Sequence, residues 1–252
     1  HPDYALQEFA QFFLHKHRQQ LVAQATSLET APLQQASKNY LAIKNAEKHI
    51  QHTQYTLEQL PQRVEITTAQ HLGSLCFYVE NHLFRSLLGL FIWDIMYSPV
   101  VGAFLNPFQR GPLDLFTPEF YQQRQTAIDE RLALLLSSST SRWQQICLQH
   151  YGAKQGIANH LVNWKTLTPR LLAYSLESIS GQQLFDIFKR LLSDLSQFGS
   201  GLPDLILFKN NEFELIEVKG PGDTLQKNQK RWLRFFKDHN IPCSVAIISW
   251  QQ

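Results

Sequence analysis

Apolar positions recur along this chain in two rhythms, one of three to four residues and one of two. From Tyr4 to about Gln24, Leu6, Phe9, Phe12, Phe13 and Leu21 return at helical spacing while Lys16, Arg18 and glutamines fill the rest, which predicts an amphipathic helix. A second helix is expected from about Leu33 to Ile50, with Tyr40, Leu41 and Ile43 apolar, Lys38, Lys44 and Lys48 as a solvated face, and Pro32 where a first turn tolerates it. Residues 51 to 70 are polar, contain Pro61 and a β-prone run from Val64 to Thr68, and show no secure period. From Leu72 to Met96 the helical rhythm is strong. Leu75, Val79, Leu83, Leu87 and Leu90 form a stripe that Phe84, Leu88 and Phe91 widen, so one long, largely buried helix is expected.

After Pro99, Gly102, Pro107, Gly111 and Pro112 punctuate a loop, and Thr117-Pro118 starts a helix that runs to about Leu136. Ser137 to Ser141 read as a short linker, with helices near Trp143 to Tyr151 and at Trp164, and an amphipathic helix carrying Leu184, Phe188, Leu191 and Leu195. The rhythm then shortens to two. Leu205 to Phe208, a polar Lys209 to Glu212 turn, and Phe213 to Val218 predict an antiparallel hairpin, followed by a helix from Leu225 to about His239 and a strand from Ser244 to Ile248. A helix between two strands of one sheet makes this an α/β core.

With 252 residues, 44% of them hydrophobic, the chain can bury a substantial core as one large domain or two small ones. A formal charge of +2 confines any nucleic-acid footprint to a local patch. Three widely separated cysteines, Cys76, Cys147 and Cys243, fit neither a disulfide framework nor a zinc site. No uninterrupted apolar run of eighteen residues suggests a membrane span, and no signal peptide is evident. Because the sequence starts at His1, a preceding region is expected to be missing.

The hairpin carries charge where it should be apolar. Period-two geometry puts Phe213, Leu215, Glu217 and Lys219 on one face, and Asp204 enters the neighbouring strand beside them. Desolvating such a cluster is costly unless it holds a hard cation. Asp204 and Glu217 offer carboxylate oxygens to Mg²⁺ or Mn²⁺, and the Val218 carbonyl is a third candidate ligand. Lys219 would orient a water or offset charge on a phosphate. Taken singly, Pro-Asp reads as a strand start and Glu217/Lys219 as a rim ion pair; their order and thirteen-residue spacing are what make the motif specific. Glu80 sits beside the long apolar stripe, and spacing alone leaves two fates open to it: a surface pair with Arg85 or His82, or delivery to the Asp204/Glu217 cation. Asp94, on nearly the same face, is a second choice, with a structural hydrogen-bonding role expected.

The runs GLPDLILF, ELIEVKGPGD and LQKNQKRWL resemble the VRR-NUC type of the PD-(D/E)xK nuclease superfamily. YVENHLFRSLLGLFIWDIMY and NPFQRGPLDLFTPEFYQQR extend the likeness to the Fanconi-associated nucleases, over roughly residues 72 to 250. The resemblance implies a restriction-endonuclease-like core, a mixed sheet flanked by helices, preceded by a largely helical region at 1–70 and carrying a helical insertion at about 99–197 within a nuclease domain at 71–252. It further implies divalent-metal-dependent cleavage of branched or 5′-flapped DNA that leaves a 5′-phosphate and a 3′-hydroxyl, as in crosslink-type DNA repair. Glu80 matches the family's first catalytic acid, and Gln229 matches the Gln or Lys of the following helix.

Arg85, Arg110, Arg124 and Lys230 are the candidate nucleic-acid contacts, since phosphate charge is met by Arg and Lys. Arg110 shares the segment Asn106 to Arg110 with Phe108, an aromatic expected to be packed. No membrane, no organic cofactor and an intracellular setting are expected, cytoplasmic in a bacterium and nuclear in a eukaryote. Two rivals remain open. A junction resolvase or restriction-type enzyme would place two sites across a duplex as a dimer; a non-catalytic DNA- or partner-binding module would be expected to have lost Asp204, Glu217 or Lys219.

Overall fold

The computed structural model describes residues 50–137 and 140–251. The helices expected from Tyr4 and from Leu33 lie outside the described residues. The chain divides into two units, before and after the Ile50–Gln51 bond, and the described strands and helices all belong to the second.

Five strands form one sheet among the described residues: β1 (Gln51–Leu57), β2 (Cys76–Tyr78), β3 (Leu205–Lys209), β4 (Glu212–Lys219) and β5 (Cys243–Trp250), in the spatial order β1-β5-β4-β3-β2. The helices are α1 (Val64–Leu72), α2 (Leu83–Phe91), α3 (Trp93–Met96), α4 (Pro118–Leu136), α5 (Thr140–Lys154), α6 (Pro169–Ser178), α7 (Gly181–Ser193), α8 (Leu195–Phe198) and α9 (Lys227–Asp238). The hairpin β3–β4 turns at Asn210 and Asn211, with φ of 53° and 63°. Two successive left-handed residues are what a tight two-residue hairpin demands, and asparagine tolerates them better than most side chains. That turn fixes the register Lys209↔Glu212 through Leu205↔Ile216. From β4 the chain crosses through α9 to β5, which pairs parallel to β4, and β1 adds parallel to β5, so the sheet is mixed.

Both faces of the sheet are covered. Alternation along β4 sends Phe213 and Leu215 into the larger core with α2, α7 and α9, and Ile216 and Val218 into a smaller core with Leu205, Ala246 and Ala69 of α1. Helices α4 to α8 pack around α2 in the larger core. Arg131 of α4 grips Asp94 in a bidentate pair, Nη1 to Oδ1 at 2.9 Å and Nη2 to Oδ2 at 2.6 Å, which settles Asp94 in a structural role.

Two sequence expectations require correction. The stretch from Leu72 to Met96 is not one helix: Gly73, at φ 110°, ends α1, Cys76 to Tyr78 pair antiparallel with β3, and α2 begins only at Leu83. A four-residue repeat is common to both rhythms, being one helical turn and two strand alternations, so Leu75 and Val79 fit either. Conversely, the β-prone run from Val64 is α1. Its threonines satisfy a helix by bonding back, Thr68 Oγ1 donating to the Val64 carbonyl at 2.8 Å. β1 and α1 are thereby built into the sheet body, β1 by pairing with β5 and α1 by packing Ala69 into the smaller core.

Candidate active site

The approach to β3 is stitched to the end of β2. Val79 and Glu80 both donate their backbone N–H to the Asp204 carbonyl, at 2.8 and 2.9 Å, and the Leu202 N–H donates to Asn81 Oδ1 at 3.1 Å. Gly201, at φ 84°, passes so close to α9 that an added Cβ would lie 2.8 Å from the Asn228 backbone. Only glycine permits that approach, which brings the entry to β3 against the first turn of α9. Glu80 therefore sits in the turn after β2 rather than on a helix, and at φ 40° it holds a left-handed conformation unusual for its type.

Asp204 Oδ2 accepts the Val218 N–H at 2.9 Å, tying the first acid to the strand that carries the second. Glu217 is 1% exposed, on the face of β4 shared with Phe213 and Leu215. Lys219 Nζ approaches its Oε1 to 2.9 Å, but the contact lacks hydrogen-bond alignment, and neither Glu217 oxygen has a hydrogen-bond partner. The same ammonium donates to Gln229 Oε1 at 3.0 Å, an oxygen that also accepts the Gln226 N–H at 2.9 Å. Burial pushes the Asp204 carboxyl up to about 6 despite the Val218 N–H, with Glu65 and Glu80 adding to the rise. Burial and the neighbouring Asp204 push Glu217 up to about 8, against the pull of Lys219. A positive charge beside two carboxyls buried side by side would ease the ionisation of both.

The charge of Glu80 acts on Asp204. Glu80 Oε2 accepts from Tyr78 Oη at 2.7 Å, and Arg63 Nη1 donates to the same hydroxyl at 3.1 Å. Sequence reasoning misses Tyr78 as a partner of Glu80 because its stretch reads as helix, and Arg63 because residues 51 to 70 show no secure period. It misses Glu65 for the second reason, an acid in the first turn of α1 whose charge acts on both Asp204 and Glu217. Among the described residues no three His, Cys, Asp or Glu side chains are grouped as a ready-made metal cage. The unbonded Glu217 oxygens and the hard oxygen donors beside them nevertheless suit a hard cation that completes its shell with backbone carbonyls and water.

The four candidate DNA contacts part company. Arg124 is 4% exposed, its Nη1 bonded to Asp114 Oδ2 at 2.7 Å, with its guanidinium over the Phe120 ring. That expectation is corrected: Arg124 is a buried structural ion pair, closed to a phosphate. Arg85 is half-buried and donates to the His160 carbonyl at 3.0 Å, Arg110 is exposed, and Lys230 is half-buried on α9 beside Gln229. Phe108, expected to pack, is 89% exposed.

The VRR-NUC domain model matches residues 138–250. The chain is 36% identical over 195 residues to the Fanconi-associated nuclease 1 homolog of Pseudomonas aeruginosa, covering 75% of this chain and 34% of that protein. It is 35% identical over 178 residues to Fanconi-associated nuclease 1 of Danio rerio, covering 68% of this chain and 18% of that protein. The chain thus spans about a third, or less, of the length of these relatives. A crystal structure of paFAN1 bound to 2nt 5′flap DNA with gap superposes with a TM-score of 0.79 at 29% identity, covering 100% of this chain and 50% of that one. Both β3–β4 with Asp204, Glu217 and Lys219 and α9 with Gln229 lie inside the matched segment, and residues 138–250 belong to the VRR-NUC family.

Proposed function

We propose that this chain is a divalent-metal-dependent DNA nuclease that hydrolyses phosphodiester bonds at branched DNA, a 5′ flap above all, in DNA repair. The observation that carries the reading is the buried pair Asp204 and Glu217, its Glu217 oxygens without hydrogen bonds and Lys219 at 2.9 Å. Asp204, Glu217 and the Val218 carbonyl, with Glu80 acting on Asp204, would hold Mg²⁺ or Mn²⁺. Bound there, the cation would supply Lewis acidity toward a phosphate oxygen and charge neutralisation.

The chain's own residues supply the rest. The Val218 N–H holds Asp204 in one rotamer, and Tyr78, itself held by Arg63, does the same for Glu80. Gln229 keeps the Lys219 ammonium at the mouth of the acidic pair, where it can donate to an attacking water or to a phosphate oxygen gaining charge. Relatives named as nucleases, and a superposing structure determined with 5′-flap DNA, support the substrate class. On this reading the protein acts wherever its DNA is, in the cytoplasm of a bacterium or the nucleus of a eukaryote. Incubating an end-labelled 5′-flap duplex with the chain tests it: cutting with Mn²⁺ and none with EDTA is expected, and cutting unaffected by EDTA would overturn the metal-dependent mechanism.

A further inference from the structure

A second built site lies on the Glu80 side of α2. The Arg110 carbonyl accepts the His160 N–H at 3.0 Å, joining two loops distant in sequence. Across that joint Arg85 Nη2 donates to the His160 carbonyl at 3.0 Å and Arg110 Nη2 to the Asn159 carbonyl at 3.5 Å. Each guanidinium has five N–H donors, so most of both forks is left for something else. The two arginines line a cavity of about 480 Å³ whose other walls include His82, Asn159, His160 and Lys165, and among the described residues no carboxylate lines it.

Asn159 supplies an independent sign. It is 2% exposed, and its Oδ1 is used, accepting the Leu161 N–H at 2.7 Å and the Val162 N–H at 3.1 Å. Its Nδ2 lies near the Tyr97 hydroxyl but has no aligned acceptor, and a buried amide donor without one is costly. Burial, Arg110 and Arg85 hold His160 below the usual histidine range. The two arginines with Lys165 set the sign of the cavity. An anion with several acceptor oxygens fits donors arranged in this way.

We propose that this cavity is a phosphate subsite that takes one backbone phosphate of the DNA strand. The assignment rests on the nuclease reading for its strand, while the anion chemistry stands on the cavity itself. A nucleotide fits better than an acidic peptide because the adjoining groove, lined by Trp93, Tyr97, Pro107 and Phe108, offers an 89% exposed phenyl ring on which a base can stack.

Two readouts test it without using cleavage. Inorganic phosphate titrated into the wild-type chain should shift the ring-proton NMR signals of His82 and His160, with affinity falling about tenfold in Arg110→Gln, the loss expected for a charge-assisted hydrogen bond. Asn159→Asp, which keeps the oxygen and places a negative charge among the arginines, should abolish the response. For a single-stranded oligonucleotide, the slope of log affinity against log salt should fall by about 0.7 in Arg110→Gln. Histidine signals that ignore phosphate, or that respond equally in both variants and wild type, overturn the subsite. A normal phosphate response with an unchanged salt slope overturns its assignment to a strand. Should the wild type show the phosphate response and the slope change yet cut no DNA with Mn²⁺, the subsite stands and the nuclease reading falls.

Discussion

The backbone N–H of Glu80 donates to the carbonyl of Asp204 at 2.9 Å, so two acids 124 positions apart in sequence are held by one main-chain contact. At this contact Glu80 adopts φ 40°, a conformation that costs a side-chain-bearing residue about 1 kcal/mol or more. Glycine escapes that cost. Glu80→Gly is therefore expected to unfold at a higher temperature than Glu80→Ala, by the equivalent of about 1 kcal/mol, while both lose metal-dependent activity. Thermal unfolding of the two variants checks this, and Glu80→Ala as stable as Glu80→Gly would contradict the strain.

The raised carboxyls predict an unusual pH dependence for the metal-free chain. In the unfolded chain Asp204 and Glu217 ionise near 4, whereas in the folded chain they stay protonated up to about 6 and about 8. The folded state thus binds more protons through this window, and stability is fully present below pH 4 and lost as pH rises through the folded values, by on the order of a few kcal/mol. Unfolding with EDTA between pH 4.5 and 8.5 should show this decline. Glu217→Gln should flatten it, and Mn²⁺ should reverse it at pH 8. A wild-type slope identical to that of Glu217→Gln would show that Glu217 does not titrate in this window.

Arg124 is expected to matter for folding and not for DNA. Arg124→Ala leaves Asp114 half-hidden without its partner, and one Asp114 oxygen already lacks a hydrogen bond. Stability should fall by about 3 kcal/mol, while the salt dependence of DNA binding stays unchanged. A reduced salt slope with intact stability would reinstate Arg124 as a phosphate contact.

Lys219 and Gln229 should act as a unit. Removing the Gln229 oxygen with Gln229→Leu frees the Lys219 ammonium to swing away, so cleavage should slow by roughly tenfold to a hundredfold, less than for Lys219→Met. Single-turnover rates of the two single variants and the double variant decide it. Strictly multiplicative losses would mean that Gln229 does not position Lys219.

An element is legible in the sequence where its signals are local. The hairpin is legible because a period of two, a polar turn and two charges on an apolar face all coincide within residues 204–219. Its surroundings are not. Glu80 is expected on a helix and lies instead in a turn after a strand, since Leu75, Val79 and Leu83 repeat every four residues and satisfy strand and helix alike. β1 carries too few apolar residues to announce itself, with only Leu57 buried, because it is an edge strand whose pairing to β5 is long-range. Arg124 looks like a DNA contact because nothing local in sequence marks Asp114 as the acid that claims it.

The central claim is that Asp204, Glu217 and Lys219 form a metal-dependent hydrolytic centre. The most direct measurement is cleavage of end-labelled 5′-flap, 3′-flap, four-way-junction and plain duplex DNA, with Mn²⁺ or EDTA, by the wild type and by Asp204→Asn, which keeps an acceptor for the Val218 N–H and removes the charge. The account predicts metal-dependent cutting of the 5′ flap by the wild type and a loss of at least about a hundredfold in the variant. Full activity in Asp204→Asn, or binding of every substrate with cutting of none, would contradict it.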